Sequence, residues 1–376
     1  MSNAERGLRV TQLRRLLTMT QKELSAATGV SPANLSNIEN GRASLTDETA
    51  ARIAAATATP IEYFDQPASV ALTADEMNFR KNTKVSARGT GFVEQSFSEI
   101  VRIAEQLKAA PLRVRAFPLP SVAADEPVPL IRIEQAAREV REAAGLSSSD
   151  PVRNVIRTAE RADVAVAPIS PPHDESERLL AGHNGVSAKS RRAVIGYITG
   201  TPGDRQRFTV AHELGHIVLH PNRNVPIKLR EQEAHQFAGA FLLPQEVAAR
   251  EISESLSLQG FMRLKAQFGI SIQATISRGR HLGLLSPERQ RSLMIQLSSR
   301  GWRKSEPVDV SGETPMLLWS ELTSTFGPTP YLAASKSFGV PPAFLHDWIP
   351  ERASRKQTPG QEQKGAQVVS LARYRE

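Results

Sequence analysis

Two histidines four residues apart, with a glutamate directly after the first, stand at His212-Glu213-Leu214-Gly215-His216. On an α-helix these positions share one face about one turn apart, so His212 and His216 can hold a single metal ion from the same side. Glu213 then stands where it can polarise a water on that ion and take its proton. Thr209-Val-Ala before the five residues and Ile217-Val-Leu after them are apolar, which predicts a helix turned towards a core. A hydrolytic metal site also needs a third protein ligand and an open position. With no cysteine in the chain, that ligand must be a histidine or a carboxylate.

The donors within reach lie in Glu231-Gln-Glu-Ala-His-Gln-Phe-Ala-Gly-Ala-Phe-Leu-Leu-Pro244. Ala234, Phe237, Ala238, Phe241 and Leu242 recur there at helical spacing and predict a second buried helix. Glu231 and Glu233 cannot both face one ion. Glu231 shares a side with Ala234, His235 and Ala238 and is the expected ligand, whereas Glu233 lies nearer the polar edge. His235 could orient a ligand histidine through a hydrogen bond. His220 continues the four-residue spacing, but two such steps rotate it off the metal face. It is read as a helix-end histidine that caps or supports a ligand. His183 is read as a surface-loop histidine, with a place in the cleft beside a developing oxyanion as the alternative.

Three blocks resemble the ImmA/IrrE metallo-endopeptidases: Arg205-Gln-Arg-Phe-Thr-Val-Ala-His-Glu-Leu-Gly-His216, then Leu219-His220, then Glu231-x-Glu-Ala-x-x-Phe-Ala ending in Leu242-Leu-Pro244. The likeness spans residues 130 to 300 and implies a zincin-like domain. It further implies a metal held by His212, His216 and Glu231, with Glu213 as general base. Zinc is the expected ion, with manganese as a substitute, and a transcriptional regulator is the expected substrate. That family usually carries Asn or Asp where this chain has His235.

Near the N-terminus, Thr20 and Glu23 form a capping-box pattern that opens a short helix closed by Gly29. Ser31-Pro32 then caps and starts a second helix that ends at Gly41. Leu35 and Ile38 face inward, leaving Ala33, Asn34, Ser36, Asn37 and Asn40 outward, which is a helix-turn-helix geometry for the major groove. Residues 8 to 64 resemble the Xre/Cro-type DNA-binding domain. By that likeness Gln21 and Arg42 would hold phosphates, while Asn34, Ser36 and Asn37 would read base edges. Seven basic residues (Arg6, Arg9, Arg14, Arg15, Lys22, Arg42, Arg52) balance seven acidic ones (Glu5, Glu23, Glu39, Asp47, Glu48, Glu62, Asp65) up to residue 65. A neutral module should bind weakly alone, which points to a homodimer.

The 376 residues leave room for several domains, and the net charge of +8 suits a polyanionic partner. No stretch approaches the apolar length of a membrane span, and Met1-Ser-Asn-Ala-Glu-Arg lacks the apolar core of a signal peptide, so a cytoplasmic place is expected. The expected fold is α+β and mostly helical. It divides into a helix-turn-helix domain at 1–70, a helical connector and Pro-rich linker at 71–129, and a zincin-like domain at 130–300 with a small sheet. A small helical region at 301–350 and a disordered tail at 351–376 complete the chain. Asn78-Phe-Arg-Lys81, with Lys84 and Arg88, is a basic segment leading to a helix through Phe97, Ile100, Val101, Ala104 and Leu107, either a brace between domains or a solvated face. Val164-Ala-Val-Ala-Pro and Ala193-Val-Ile-Gly-Tyr-Ile198 predict strands, to whose sheet an extended substrate could add. Phe261 to Ile276 mimics a second helix-turn-helix but is read as packing beside the site. The favoured reading is a DNA-binding regulator that carries a zinc endopeptidase acting on a partner regulator or on itself. The alternative is a non-proteolytic repressor or antitoxin-like autoregulator whose metal domain senses or scaffolds.

Overall fold

A computed structural model describes residues 3–67, 78–81, 86–107, 117–122, 127–172, 177–189, 191–221 and 225–351. Residues 68–77 and 82–85 of the connector, Lys84 among them, and the expected tail from 352 onward lie outside the described residues.

Helices α1 (Asn3–Leu16), α2 (Gln21–Thr28), α3 (Pro32–Glu39) and α4 (Asp47–Ala56) form an N-terminal bundle closed by a 3-10 turn at Ile61–Asp65. The capping box opens α2: the Glu23 amide donates to Thr20 Oγ1 at 3.2 Å, and the Thr20 amide donates to Glu23 Oε2 at 2.6 Å. Ser31 caps α3, and Pro32 takes its first position. Val10, Leu13, Leu24, Leu35, Ile38 and Ile53 make the bundle core. Leu8 is 42% exposed, whereas Arg9 is fully buried. The reason is a second neighbour: Val10 and Leu13 face the bundle, while Arg9 and Leu16 face the helix that follows the connector.

That connector contributes β1 (Asn78–Lys81), a strand where sequence showed only a basic segment, and α5 (Ala87–Leu107). Helix α5 is buried over most of its surface, so it is the brace rather than a solvated face. Arg9 Nη1 donates to the Glu99 carboxylate of α5, its Nε donates to Tyr63 O at 3.0 Å, and its guanidinium lies 3.7 Å from the Tyr63 ring centroid. Glu99 also accepts from Arg102 Nε at 2.9 Å, and Arg102 Nη2 reaches Phe338 O at 2.8 Å. Burial alone would raise the Glu99 carboxyl, but Arg102 and then Arg9 outweigh it and hold it below its ordinary value.

Next come α6 (Leu130–Ala143), α7 (Val155–Arg161), β2 (Ala165–Ile169), a 3-10 turn at Glu177–Leu180, β3 (His183–Lys189) and β4 (Ala193–Ile198). Among the described residues the sheet has four strands in the order β1-β3-β4-β2, with β2 parallel to β4 and the other pairs antiparallel. Alternation along the strands divides two cores: Val166, Ile195 and Tyr197 face one, while Ala165, Ala167, Val186 and Val194 face the other. The described part of the proline-rich stretch runs along the first core rather than standing clear of it. The Val122 amide donates to Val218 O at 3.1 Å, and Val122 and Val128 are buried.

The first core is completed by α8 (Gly203–Leu219), α9 (Ile227–Leu242), α10 (Gln245–Glu251), α11 (Leu258–Phe268), α12 (Ile272–His281) and α13 (Pro287–Ser299). Helix α12, the second element of the helix-turn-helix mimic, buries Ile272, Thr275, Ile276, Arg278 and Gly279, with Arg278 paired to Glu134 of α6. It therefore packs beside α9. Helices α14 (Leu317–Phe326), α15 (Tyr331–Phe338) and α16 (Pro342–Trp348) complete the second core against α5 and β2. Among the described residues, no helix is long and apolar enough to cross a membrane.

Candidate metal centre

Helix α8 can carry His212, Glu213 and His216 deep in the fold because α9 comes unusually close to it. A Cβ at Gly215 would lie 3.0 Å from the Phe237 ring, so glycine is what allows that approach. The approach brings Glu231, on the first turns of α9, over the α8 histidines. His212 Nε2 and His216 Nε2 are 3.1 Å apart, Glu231 Oε1 is 3.2 Å from His216 Nε2, and Glu231 Oε2 is 3.4 Å from His212 Nε2. Four ligands at about 2.0–2.1 Å from a tetrahedral zinc stand about 3.3 Å from one another, so the donor triangle fits such an ion with one corner free. His212 and His216 are 2% exposed, and the Glu231 side chain is 26% exposed, so the opening is on its side. Burial pushes the His216 imidazole down to about 3, keeping it neutral as a ligand must be. Burial would raise the Glu231 carboxyl, but the adjacent His212 and His216 hold it well below the usual range.

Glu213 points to the sheet side of this triangle. Ser187 Oγ on β3 donates to its Oε2 at 2.6 Å, and a Cβ at Gly185 would lie 2.8 Å from its Oε1. Ser187 and Gly185 carry no motif. Their alternation on one strand face is the signal, and it becomes readable only when β3 is known to lie against α8.

The support of His216 comes from the helix-end histidine, His220, rather than from His235. His216 Nδ1 lies 2.9 Å from His220 Nδ1, and His220 Nε2 lies 2.9 Å from Glu233 Oε2. Glu233 is 2% exposed rather than at a polar edge, and its Oε1 accepts from the Val128 amide at 2.7 Å. A carboxylate only accepts, so His220 Nε2 carries the proton and His220 Nδ1 accepts from His216 Nδ1. That assignment leaves the lone pair of His216 Nε2 aimed at Glu231 and His212. The orienting contact thus comes from His220 and Glu233. His235 instead sets its ring against Phe208, 4.9 Å between centroids, and His281, 6.1 Å. His183 is a second correction. It is 5% exposed at the start of β3, with Nε2 3.4 Å from Thr90 Oγ1 and Nδ1 3.3 Å from Leu180 O, because α5 covers the turn taken for a surface loop.

A Glu233→Gln chain should bind a divalent ion about 10–100-fold more weakly. The amide has one accepting oxygen for two donors, Val128 N–H and His220 Nε2–H, so one loses its partner or the histidine tautomers invert. A chelator competition titration reads the change, and unaltered affinity would remove the relay.

At the N-terminus Ala33, Asn34, Asn37, Asn40 and Arg42 are exposed, and Ser36 and Gln21 are half-buried. Among the described residues, none from the second unit covers the outer face of α3. Gln21 Nε2 donates to Glu39 Oε2 at 3.0 Å, and Asn40 Nδ2 donates to Ser36 O at 2.7 Å. Arg6, Arg14 and Arg52 pair with Asp47, Glu39 and Glu48, while Lys22 and Arg42 are exposed.

A histidine pair on one helix, a carboxylate from the next and a glutamate beside a strand of the sheet define a metallopeptidase-like domain, here joined to a helix-turn-helix. Comparison with protein families agrees: residues 162–278 match the peptidase family described as IrrE N-terminal-like domain, and residues 10–64 match the helix-turn-helix family. The chain thus carries an Xre/Cro-type helix-turn-helix and a domain of the ImmA/IrrE family. No curated protein matches it.

Proposed function

We propose that this protein is a cytoplasmic DNA-binding transcriptional regulator whose second domain hydrolyses a peptide bond in a partner regulator or in itself. The donor triangle of His212, His216 and Glu231 carries the reading, since its edges of 3.1 to 3.4 Å suit zinc or manganese. When bound there, such an ion supplies Lewis acidity to water and to a peptide carbonyl. Glu213 takes the proton of the attacking water and returns it to the leaving amine. Ser187 holds one Glu213 oxygen and so fixes the orientation of the carboxylate. Glu233 and His220 keep His216 in its ligating tautomer. On the DNA side, Asn34, Ser36 and Asn37 meet base edges, Ala33 and Asn40 line the same face, and Gln21 and Arg42 meet phosphates. A single copy of so neutral a unit binds weakly, and two copies on a two-fold operator supply the affinity.

The test incubates the purified chain, with zinc or manganese, with proteins encoded beside it, and sequences any fragments by mass spectrometry. A discrete, metal-dependent cut is expected. Intact partners together with tight operator binding in fluorescence anisotropy would favour the non-proteolytic regulator instead.

A further inference from the structure

The strand nearest Glu213 does not have a free edge. Strand β3 supplies the Ser187 hydroxyl, 2.6 Å from Glu213 Oε2, and the Gly185 backbone that lies against the same carboxylate. A peptide paired along the outer side of β3 would therefore run past Glu213. An extended peptide docks on such an edge through main-chain hydrogen bonds. In this chain the position is taken by β1, which runs antiparallel with Asn78 opposite Ser187 and Phe79 opposite Val186. The pairing is only four residues long and shifts register between Phe79 and Lys81, so few bonds hold it.

We infer that Asn78–Lys81 is an internal competitor, occupying the peptide-binding edge of the metal site until it leaves. The purpose given to that edge rests on the hydrolytic reading; the competition itself does not. A segment tethered in cis acts at an effective concentration of about millimolar, so it suppresses an outside peptide of modest affinity about tenfold.

The probe is a fluorescein-labelled peptide with the sequence of residues 75–84, titrated into full-length Glu213→Gln chain so that hydrolysis does not consume it. Phe79→Pro with Lys81→Pro removes two amide donors from the strand. A second chain, with Gly-Ser in place of both 78–79 and 80–81, weakens the pairing without proline and decides the matter if the first fails to fold. Binding about tenfold tighter than in the Glu213→Gln parent is expected, with slowed amide exchange in 183–189 when peptide is added. Equal or weaker binding in a folded variant overturns the inference. The same chains with Glu213 restored and zinc present report separately on hydrolysis: tighter binding without cleavage keeps the competitor and removes the peptidase.

Discussion

A Glu213→Gln chain is expected to bind its divalent ion as well as the parent and to cut its substrate about 10²- to 10⁴-fold more slowly. The amide keeps the shape of the side chain, and its oxygen still accepts from Ser187 Oγ, which lies 2.6 Å from the carboxylate. Glu213 is not among the three donors that converge, so the affinity for metal should not move. What disappears is the group able to take a proton. Metal content by elemental analysis and single-turnover cleavage measure the two halves separately. A Glu213→Gln chain that cleaves at the parent rate would end the general-base assignment. Loss of metal along with activity would mean that Glu213 is a ligand instead.

The second large effect concerns the joint between the two units. Glu99→Ala strands two arginines, Arg9 with no exposed surface and Arg102 at 9% exposure. Breaking a buried pair in this way costs about 3–5 kcal/mol, because the remaining charge stays out of water without a partner. Urea unfolding should show the N-terminal bundle released from α5 at a lower midpoint. Replacing Arg9 and Glu99 together, by Met and Leu, should recover part of the loss, since Arg102 still lacks its carboxylate. Since the Glu99 carboxyl is held below its ordinary value in the folded chain, its contribution is full above the unfolded value of about 4.3 and fades as the pH falls through the folded one. A cost below about 1 kcal/mol would place the pair among weak surface bridges and undo the account of the joint.

How much of this was legible beforehand follows from how local each feature is. The face shared by His212 and His216 is set by helical spacing within five residues, and the caps at Thr20 and Ser31 lie within one turn, so periodicity and residue type sufficed. Glu231 was separable from Glu233 by the apolar stripe of its own helix. The job of Glu233 was not, because its second partner is the Val128 amide, 105 residues away in sequence. Arg9 is a similar case, a charge whose burial makes sense only with Glu99 90 residues on. Strand β1 is too short to show alternation, and its pairing with β3 is a property of the sheet rather than of its own residues. His183 was misplaced for the same reason, since nothing near it in sequence announces that α5 lies above.

The fastening of α1 to α5 bears on what a cut in the connector would accomplish. Arg9, Leu16 and Gln66 hold the bundle to the rest of the molecule by contacts that do not pass through residues 68–85. Scission there would yield two polypeptides that co-elute in gel filtration and stay together on the operator. Separation of the two units would then lag behind backbone breakage, and would follow dissociation of the nicked halves, a step that acid or loss of Glu99 should hasten.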